Sequence, residues 1–306
     1  MPPVAPMSFQ RIAYEDREVC NGVEMSAIEA AVGRTGLGPG ATAIDIGTGN
    51  ARVAIRLAGR FGLAVSAIER DPVMADLARR RIDEAHAGDR MTLTVGHAAG
   101  VLAGAPPVDL IVALGTTDVS GEGRPTPEAS FIALRRRLKP GGWLLWGDIV
   151  WRADPPAPLR QMTEATNLYA EDAGWRAAAV AAGFEVVDGR ISPQAVFDAW
   201  LGESVAAARA WLEAHSDAPE AASIRFHADR VQALIDFGRG IMGFGLYLLR
   251  NPAWAGQAVR MIPPEAATGQ GVSRAPAQGP PTQAPDSGSN TAPCQPHRIS
   301  DPSGVR

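Results

Sequence analysis

Apolar positions along this chain fall into two rhythms. Short runs such as "ATAIDIG", "LAVSAIE", "MTLTV", "VDLIVAL" and "WLLWGDIVW" are nearly continuous and predict strands buried on both faces. Between them the apolar residues space out to one side of a helix. Val53, Leu57 and Phe61 form one such stripe, Met74, Ala78 and Ile82 a second, and Phe131, Leu134 and Leu138 a third. Asp71-Pro72 and Thr126-Pro127 each place a capping oxygen before a proline at the first helical position. The stretch "RRRLKPGG" sets cations at a helix C-terminus and then enforces a turn. Strand and helix alternating in this way predict an open α/β sheet of about seven strands, mostly parallel, with helices on both faces.

Beyond the fifth strand the pattern changes. "AEDAGWRAAAVAAGF" predicts a helix and "FEVVDGRI" a short strand. Two longer helices follow, near 194–214 and 219–238, before "IMGFGLYLLR", which reads as a last strand despite its glycines. The organisation expected is therefore an N-terminal helical cover over 1–40 and an α/β domain over 41–251. A helical insertion at about 193–239 serves as extra scaffold, an oligomer face or a lid over a substrate. Residues 252–306 are rich in Pro, Gly, Ser, Thr and Gln, and too poor in large apolar side chains to offset their ordering entropy; they are expected to be disordered.

Composition narrows the function. Hydrophobic residues make up 46% of the chain, enough for a sizeable core. The net charge of −4 lacks the basic footprint of a nucleic-acid binder. Two cysteines, Cys20 and Cys294, in unrelated contexts argue against a disulfide framework and for a reducing cytoplasm. "MPPVAPMSFQ" has neither the charged nor the apolar region of a signal peptide, and no apolar run approaches the roughly 20 residues of a membrane span. Cys294 and His297 fall short of the about four ligands of a structural zinc, so no metal is expected. A monomer or homodimer fits equally well.

The chemistry is expected at "AIDIGTGNARVAI", where a strand meets a glycine turn and a helix. Ligands of open α/β sheets bind outside the carboxyl ends of the strands, and this is the first such turn. Gly47 and Gly49 fill two places of a dinucleotide fingerprint, but Arg52 stands where its third glycine belongs, and no Gly-Lys-Ser/Thr follows for a phosphate loop. Asp45, two residues before Gly47, would repel a pyrophosphate and attract a cationic group. Glu69 closes the second strand roughly twenty residues on, where an acceptor for ribose hydroxyls is expected. The turn calls for a positively charged nucleoside without phosphate. Each acid also has a plainer role, Asp45 at a helix N-terminus and Glu69 as a solvated strand end.

With these residues in place, a resemblance follows. "AIDIGTGNARVAIRLA" looks like the first motif of the class I S-adenosylmethionine-dependent methyltransferases, and "VSAIERDPVMADLARRR" like the second. "LTVGHAA", "VDLIVALGTT" and "LRRRLKPGGWLLWGD" resemble the elements that follow, in order over roughly 40–150. The nearest likeness is to a bacterial small-molecule subgroup with a helical insertion before its last strand. The resemblance implies a Rossmann-like fold, S-adenosylmethionine as cofactor, and methyl transfer to a small-molecule acceptor by in-line displacement. It places Asp45, Gly47, Thr48, Gly49, Glu69, Arg70, Ala98, Leu114 and Gly115 at the cofactor. His97 stands where family members commonly carry an aspartate that accepts from adenine; a neutral imidazole retains one acceptor nitrogen, and capping the next helix is its plainer role.

A sulfonium methyl is already a strong electrophile, so alignment and exclusion of water are the main demands, with a base needed only where the acceptor must lose a proton. Candidates on the expected rim are Asp148, Asp118 and Tyr14, and Trp151 is a candidate wall of an acceptor pocket. A non-catalytic module that binds the same cofactor, and an NAD-dependent oxidoreductase, are the alternatives.

Overall fold

The computed structural model describes residues 7–116, 119–121, 123–165 and 167–253. The chain begins with helices α1 (Phe9–Tyr14) and α2 (Met25–Gly33). Strand and helix then alternate as β1 (Thr42–Ile46), α3 (Arg52–Phe61), β2 (Ala64–Glu69), α4 (Pro72–Glu84), β3 (Met91–Val95), α5 (Ala98–Gly104) and β4 (Val108–Leu114). Helix α6 (Pro127–Arg135), β5 (Leu138–Trp151), α7 (Ala157–Thr163), β6 (Ala170–Glu171), α8 (Asp172–Ala181) and β7 (Glu185–Ile191) follow. The long pair α9 (Gln194–Ala214) and α10 (Ala221–Gly238) precedes β8 (Met242–Arg250). The expected open, mostly parallel sheet is present, with strand order β3-β2-β1-β4-β5-β8-β7 and the short β6 beside β5.

Burial explains why these runs are strands. Successive side chains point to opposite faces, so a strand covered on both sides must be apolar throughout. Leu110, Val112 and Leu114 of β4 enter one core with Val53, Leu57 and Ile28. Their neighbours Ile111 and Ala113 enter the other with Phe131, Leu134 and Trp146. The caps behave as their sequence predicts: Asp71 Oδ1 accepts from Val73 N at 2.8 Å, and Thr126 Oγ1 from Ala129 N at 3.2 Å.

Two local expectations are revised. Helix α6 stops at Arg135, and Leu138 opens β5 by pairing with Val108 instead of extending the helical stripe. The Pro-Gly-Gly stretch does not end the element. It is absorbed as an irregularity in β5, where the register with β4 shifts between Val108 and Leu110. Gly141 adopts a φ of +81° there, and a Cβ on Gly142 would lie 2.9 Å from the Lys139 carbonyl oxygen. β8 is antiparallel to both β5 and β7, the exception within the mostly parallel sheet expected.

The N-terminal segment and the inserted pair meet each other. Phe9 and Ala13 of α1 form a satellite cluster with Ala208, Leu212, Ile224 and Ala228 of α9 and α10. Asn50 Nδ2 ties the same segment to the glycine turn by donating to the carbonyls of Tyr14 and Arg17, both at 2.8 Å.

β8 approaches β5 closely only because Gly147 has no side chain. A Cβ there would come within 2.8 Å of both Leu114 Cδ2 and Phe244 Cε1, two buried side chains with little room to give. Gly147→Ala is expected to cost about 1–3 kcal/mol by overpacking, read as a lowered midpoint in urea unfolding; an unchanged midpoint would show that the core yields there.

Candidate functional site

The two first turns are fastened to each other. Gly47 N and Thr48 N both donate to the Ile68 carbonyl at 2.9 Å. Glu69 then reaches back across the gap: its Oε2 accepts from Gly49 N at 2.8 Å and its Oε1 from Asp71 N at 2.9 Å. Gly47 and Gly49 have φ values of +69° and +57°, in the left-handed region that glycine enters at little cost. Added Cβ atoms would meet Thr116 Oγ1 at 3.0 Å and Cys20 Sγ at 3.1 Å. The loop is shaped for close approach of backbone to a neighbour.

Above these turns lies a cavity of about 440 Å³ at the carboxyl ends of β1, β2, β4 and β5, within the roughly 300–1,000 Å³ common for small-molecule sites. Gly47, Gly49, Glu69, Arg70, Ala98, Leu114 and Gly115 line it, as do Asp148 and Tyr14. Sequence reasoning thus placed nine of its candidates on one cavity wall.

Four expected contacts stand elsewhere. Asp45 is buried beneath the turn and does not line the cavity; its Oδ2 accepts from the Thr48 hydroxyl at 2.6 Å. Strand periodicity puts residue 45 on the face of Ala43, under the loop, and Thr48 bends back to satisfy it. Thr48 is therefore also turned inward. His97 is exposed at the N-cap of α5, and its neighbours Gly96 and Ala98 line the cavity in its place. Trp151 is 3% exposed, donates to Glu164 Oε1 at 3.2 Å and packs edge-on against Tyr169, so it belongs to the core and not to a ligand wall. Asp118 lies outside the described residues, as do Cys294 and His297.

Several lining residues carried no sequence signal. Asn21, from the link between α1 and α2, is buried and donates through Nδ2 to the Leu114 carbonyl at 3.2 Å. Trp200 comes from α9, Phe244 from β8, and Tyr169 from the segment before β6. Asn21 Oδ1 and Asp148 Oδ2 are buried atoms with no hydrogen-bond partner, and both residues line this one cavity. Buried polar atoms without partners are uncommon and call for a ligand or water.

The electrostatics are acidic. Burial pushes the carboxyl of Asp45 up to about 6 and that of Asp148 up to about 7, and it raises Glu69 as well. Hydrogen bonds offset part of this: the Thr48 hydroxyl for Asp45, the Ile149 N–H and Asn167 for Asp148, and backbone N–H groups for Glu69. Burial likewise raises the Tyr14 hydroxyl and pushes the Cys20 thiol up to about 12, so neither is a ready anion. A cavity of this kind favours a cationic guest and disfavours a phosphate.

The family model described as a methyltransferase domain matches residues 43–142. The chain is similar to the uncharacterized protein YjhP of Escherichia coli (strain K12), 26% identical over 215 residues, spanning 69% of this chain and 85% of that protein. The X-ray structure of YjhP superposes with a TM-score of 0.66 at 24% identity, over 79% of this chain and 98% of the other. A methyltransferase from Geobacter sulfurreducens, described as SAM-dependent and solved with S-adenosyl-L-homocysteine, gives a TM-score of 0.67 at 22% identity, over 80% and 99% of the two chains. One from Thiobacillus denitrificans, described in the same terms, gives 0.67 at 20%, over 80% and 98%. Likeness at these identities establishes the fold, an open Rossmann-like sheet. Among the described residues no helix is long and apolar enough to cross a membrane.

The raised carboxyl of Asp148 has a consequence for stability. Between its ordinary value of 3.8 and about 7, the folded protein keeps a proton that the unfolded chain has lost, so this group's contribution falls as pH rises. Asp148→Asn removes that dependence. It is expected to stabilise the protein at pH 8 by on the order of 2–4 kcal/mol relative to the unmodified chain, with the difference shrinking toward zero below about pH 4. Urea unfolding across this range measures it; a difference that does not vary with pH would contradict the burial of an uncompensated acid.

Proposed function

We propose, from the match of residues 43–142 to the methyltransferase-domain family model, that this chain binds S-adenosylmethionine in the cavity over the glycine turn and methylates a small-molecule acceptor. The observation that carries this reading is the pairing of a glycine cradle with buried acids in place of phosphate-binding cations. Glu69 holds the turn with one bond to each oxygen and keeps further lone pairs, since a carboxylate offers about four acceptor sites. These suit the two hydroxyls of a ribose. The turn admits close approach because neither Gly47 nor Gly49 carries a Cβ. Asn21 Oδ1, buried and without a partner, suits a ligand N–H donor.

When bound, S-adenosylmethionine would supply an electrophilic methyl carbon on a sulfonium, with a neutral thioether as its leaving group. The residues of this chain orient and enclose. Tyr14 from the N-terminal segment, Trp200 from the inserted pair and Phe244 from β8 bring apolar surface over the strand ends and exclude water. On this reading the insertion acts as a lid together with the N-terminal cover. Asp148 stands at the same rim as the group able to take a proton from the acceptor. An NAD-dependent oxidoreductase fits less well, because a pyrophosphate would lie beside Glu69 with Asp45 beneath. Turnover against phenols, amines, thiols and carbon acids separates an enzyme from a module that only binds the cofactor.

Calorimetry is expected to detect both S-adenosylmethionine and S-adenosylhomocysteine; no heat from either at millimolar ligand overturns the proposal. Glu69→Ala is expected to weaken that binding by about 1–3 kcal/mol through loss of a charged acceptor. Equal affinity in the variant would remove Glu69 from the ligand.

A further inference from the structure

The cavity has a second end. Glu69 closes β2, and Asp148 stands just past Gly147, the residue of β5 that pairs with the last residue of β4. In the order β2-β1-β4-β5 these acids are three strand spacings apart, about 14 Å. The function proposed above uses the glycine and Glu69 end. At the Asp148 end Tyr169 interacts electrostatically with Asp148, Phe244 lies against Gly147, and Trp200 packs on Phe244 with ring centroids 6.1 Å apart.

Asp148 is 3% exposed. Its Oδ1 accepts from Ile149 N at 2.8 Å, the Asn167 amide also acts on this carboxyl, and its Oδ2 is a buried atom without a hydrogen bond. Arg70 is the one Lys or Arg among the described lining residues, and it stands beside Glu69, exposed, at the far end. An acid buried without a counter-charge is costly and is relieved by a cation. The aromatic rings of Tyr169, Phe244 and Trp200 at this end add the faces that attract an ammonium group.

A neighbouring cavity has the same sign. A second cavity of about 780 Å³ shares Asn21 and Trp200 with the first and lies against the segment from Ile12 to Ser26 and one side of α9. Asp16, Glu18, Glu24 and Glu203 line it against the single cation Arg17. Arg17 is itself paired with Glu203 at 3.0 Å, and Glu18 with Arg56 at 3.2 Å, leaving Asp16 and Glu24 in excess.

Resting on the cofactor reading, we propose that the acceptor is an amine with an apolar body, received as its ammonium ion at the Asp148 end. Asp148 is then a catalytic residue. An N–H bond of the ammonium breaks, an O–H bond forms at Oδ2, and the N–H electron pair remains on nitrogen as the lone pair that makes it a nucleophile. The carboxyl afterwards returns its proton to water.

The full chain, saturated with S-adenosylhomocysteine, is titrated calorimetrically with matched probes: benzylamine against benzyl alcohol, and phenethylamine against phenethyl alcohol. Each amine is expected to bind at least about tenfold more tightly than its alcohol. In Asp148→Asn that preference is expected to fall to within about twofold, while S-adenosylhomocysteine affinity changes less than about threefold. Alcohols that match the amines, a preference that survives in the variant, or binding of neither probe overturns the inference. Failure of S-adenosylhomocysteine itself to bind overturns the cofactor reading and this inference with it. Absence of an amine preference in the unmodified chain, with S-adenosylhomocysteine bound, overturns this inference alone.

Discussion

The Glu69 carboxylate joins the two turns on which the site is built. One oxygen holds the backbone of the β1–α3 turn and the other the backbone of the β2–α4 turn, with the Ile68 carbonyl beside them. Without that clasp, two glycines at positive φ would leave a loop free to sample many shapes. With it, the turn presents its backbone to the cavity in one arrangement. A buried, hydrogen-bonded charge positions the floor, and everything that covers the floor is placed relative to it.

The cover comes from parts of the chain that are remote in sequence. Asn50, inside the glycine turn, grips the carbonyls of Tyr14 and Arg17, and Asp71, at the next turn, receives Ser8 Oγ at 3.4 Å. The same N-terminal segment packs against α9 and α10. The insertion between β7 and β8 therefore reaches the site in company with the N-terminus. Trp200 is where they converge, lining the main cavity and both its neighbours.

The site is held at a thermodynamic disadvantage. Asp45, Glu69 and Asp148 are each less than a tenth exposed, and burial raises all three. Perturbed acids of this kind concentrate where a protein is arranged for a ligand, because the cost is recovered when a complementary charge arrives. The surrounding core tolerates it: strands apolar on both faces, and a cluster of Phe131, Trp146 and Trp175 with ring centroids 5.3–5.8 Å apart, lie directly behind.

The alternation of continuous apolar runs with helical stripes determined the sheet, its helices and the position of the first turn, because each signal is local and repeats along the chain. The caps at Asp71 and Thr126 were legible for the same reason. Glu69 was legible as a strand-end acid, and Asp148 as a residue just past an apolar run. The direction of β8 was not legible, since an apolar strand reads the same in either orientation. Nor was the inward turn of Asp45, which depends on a Thr48 hydroxyl folding back beneath the loop. Asn21, Trp200, Phe244 and Tyr169 lie up to 223 positions apart (244 − 21) and meet only when the N-terminal segment and the inserted pair close over the strand ends. Sequence periodicity determined which elements exist and which end of the sheet carries the cavity over the glycine turn. Only tertiary packing decided which distant side chains enclose that end, because proximity across the fold leaves no periodic trace in the chain.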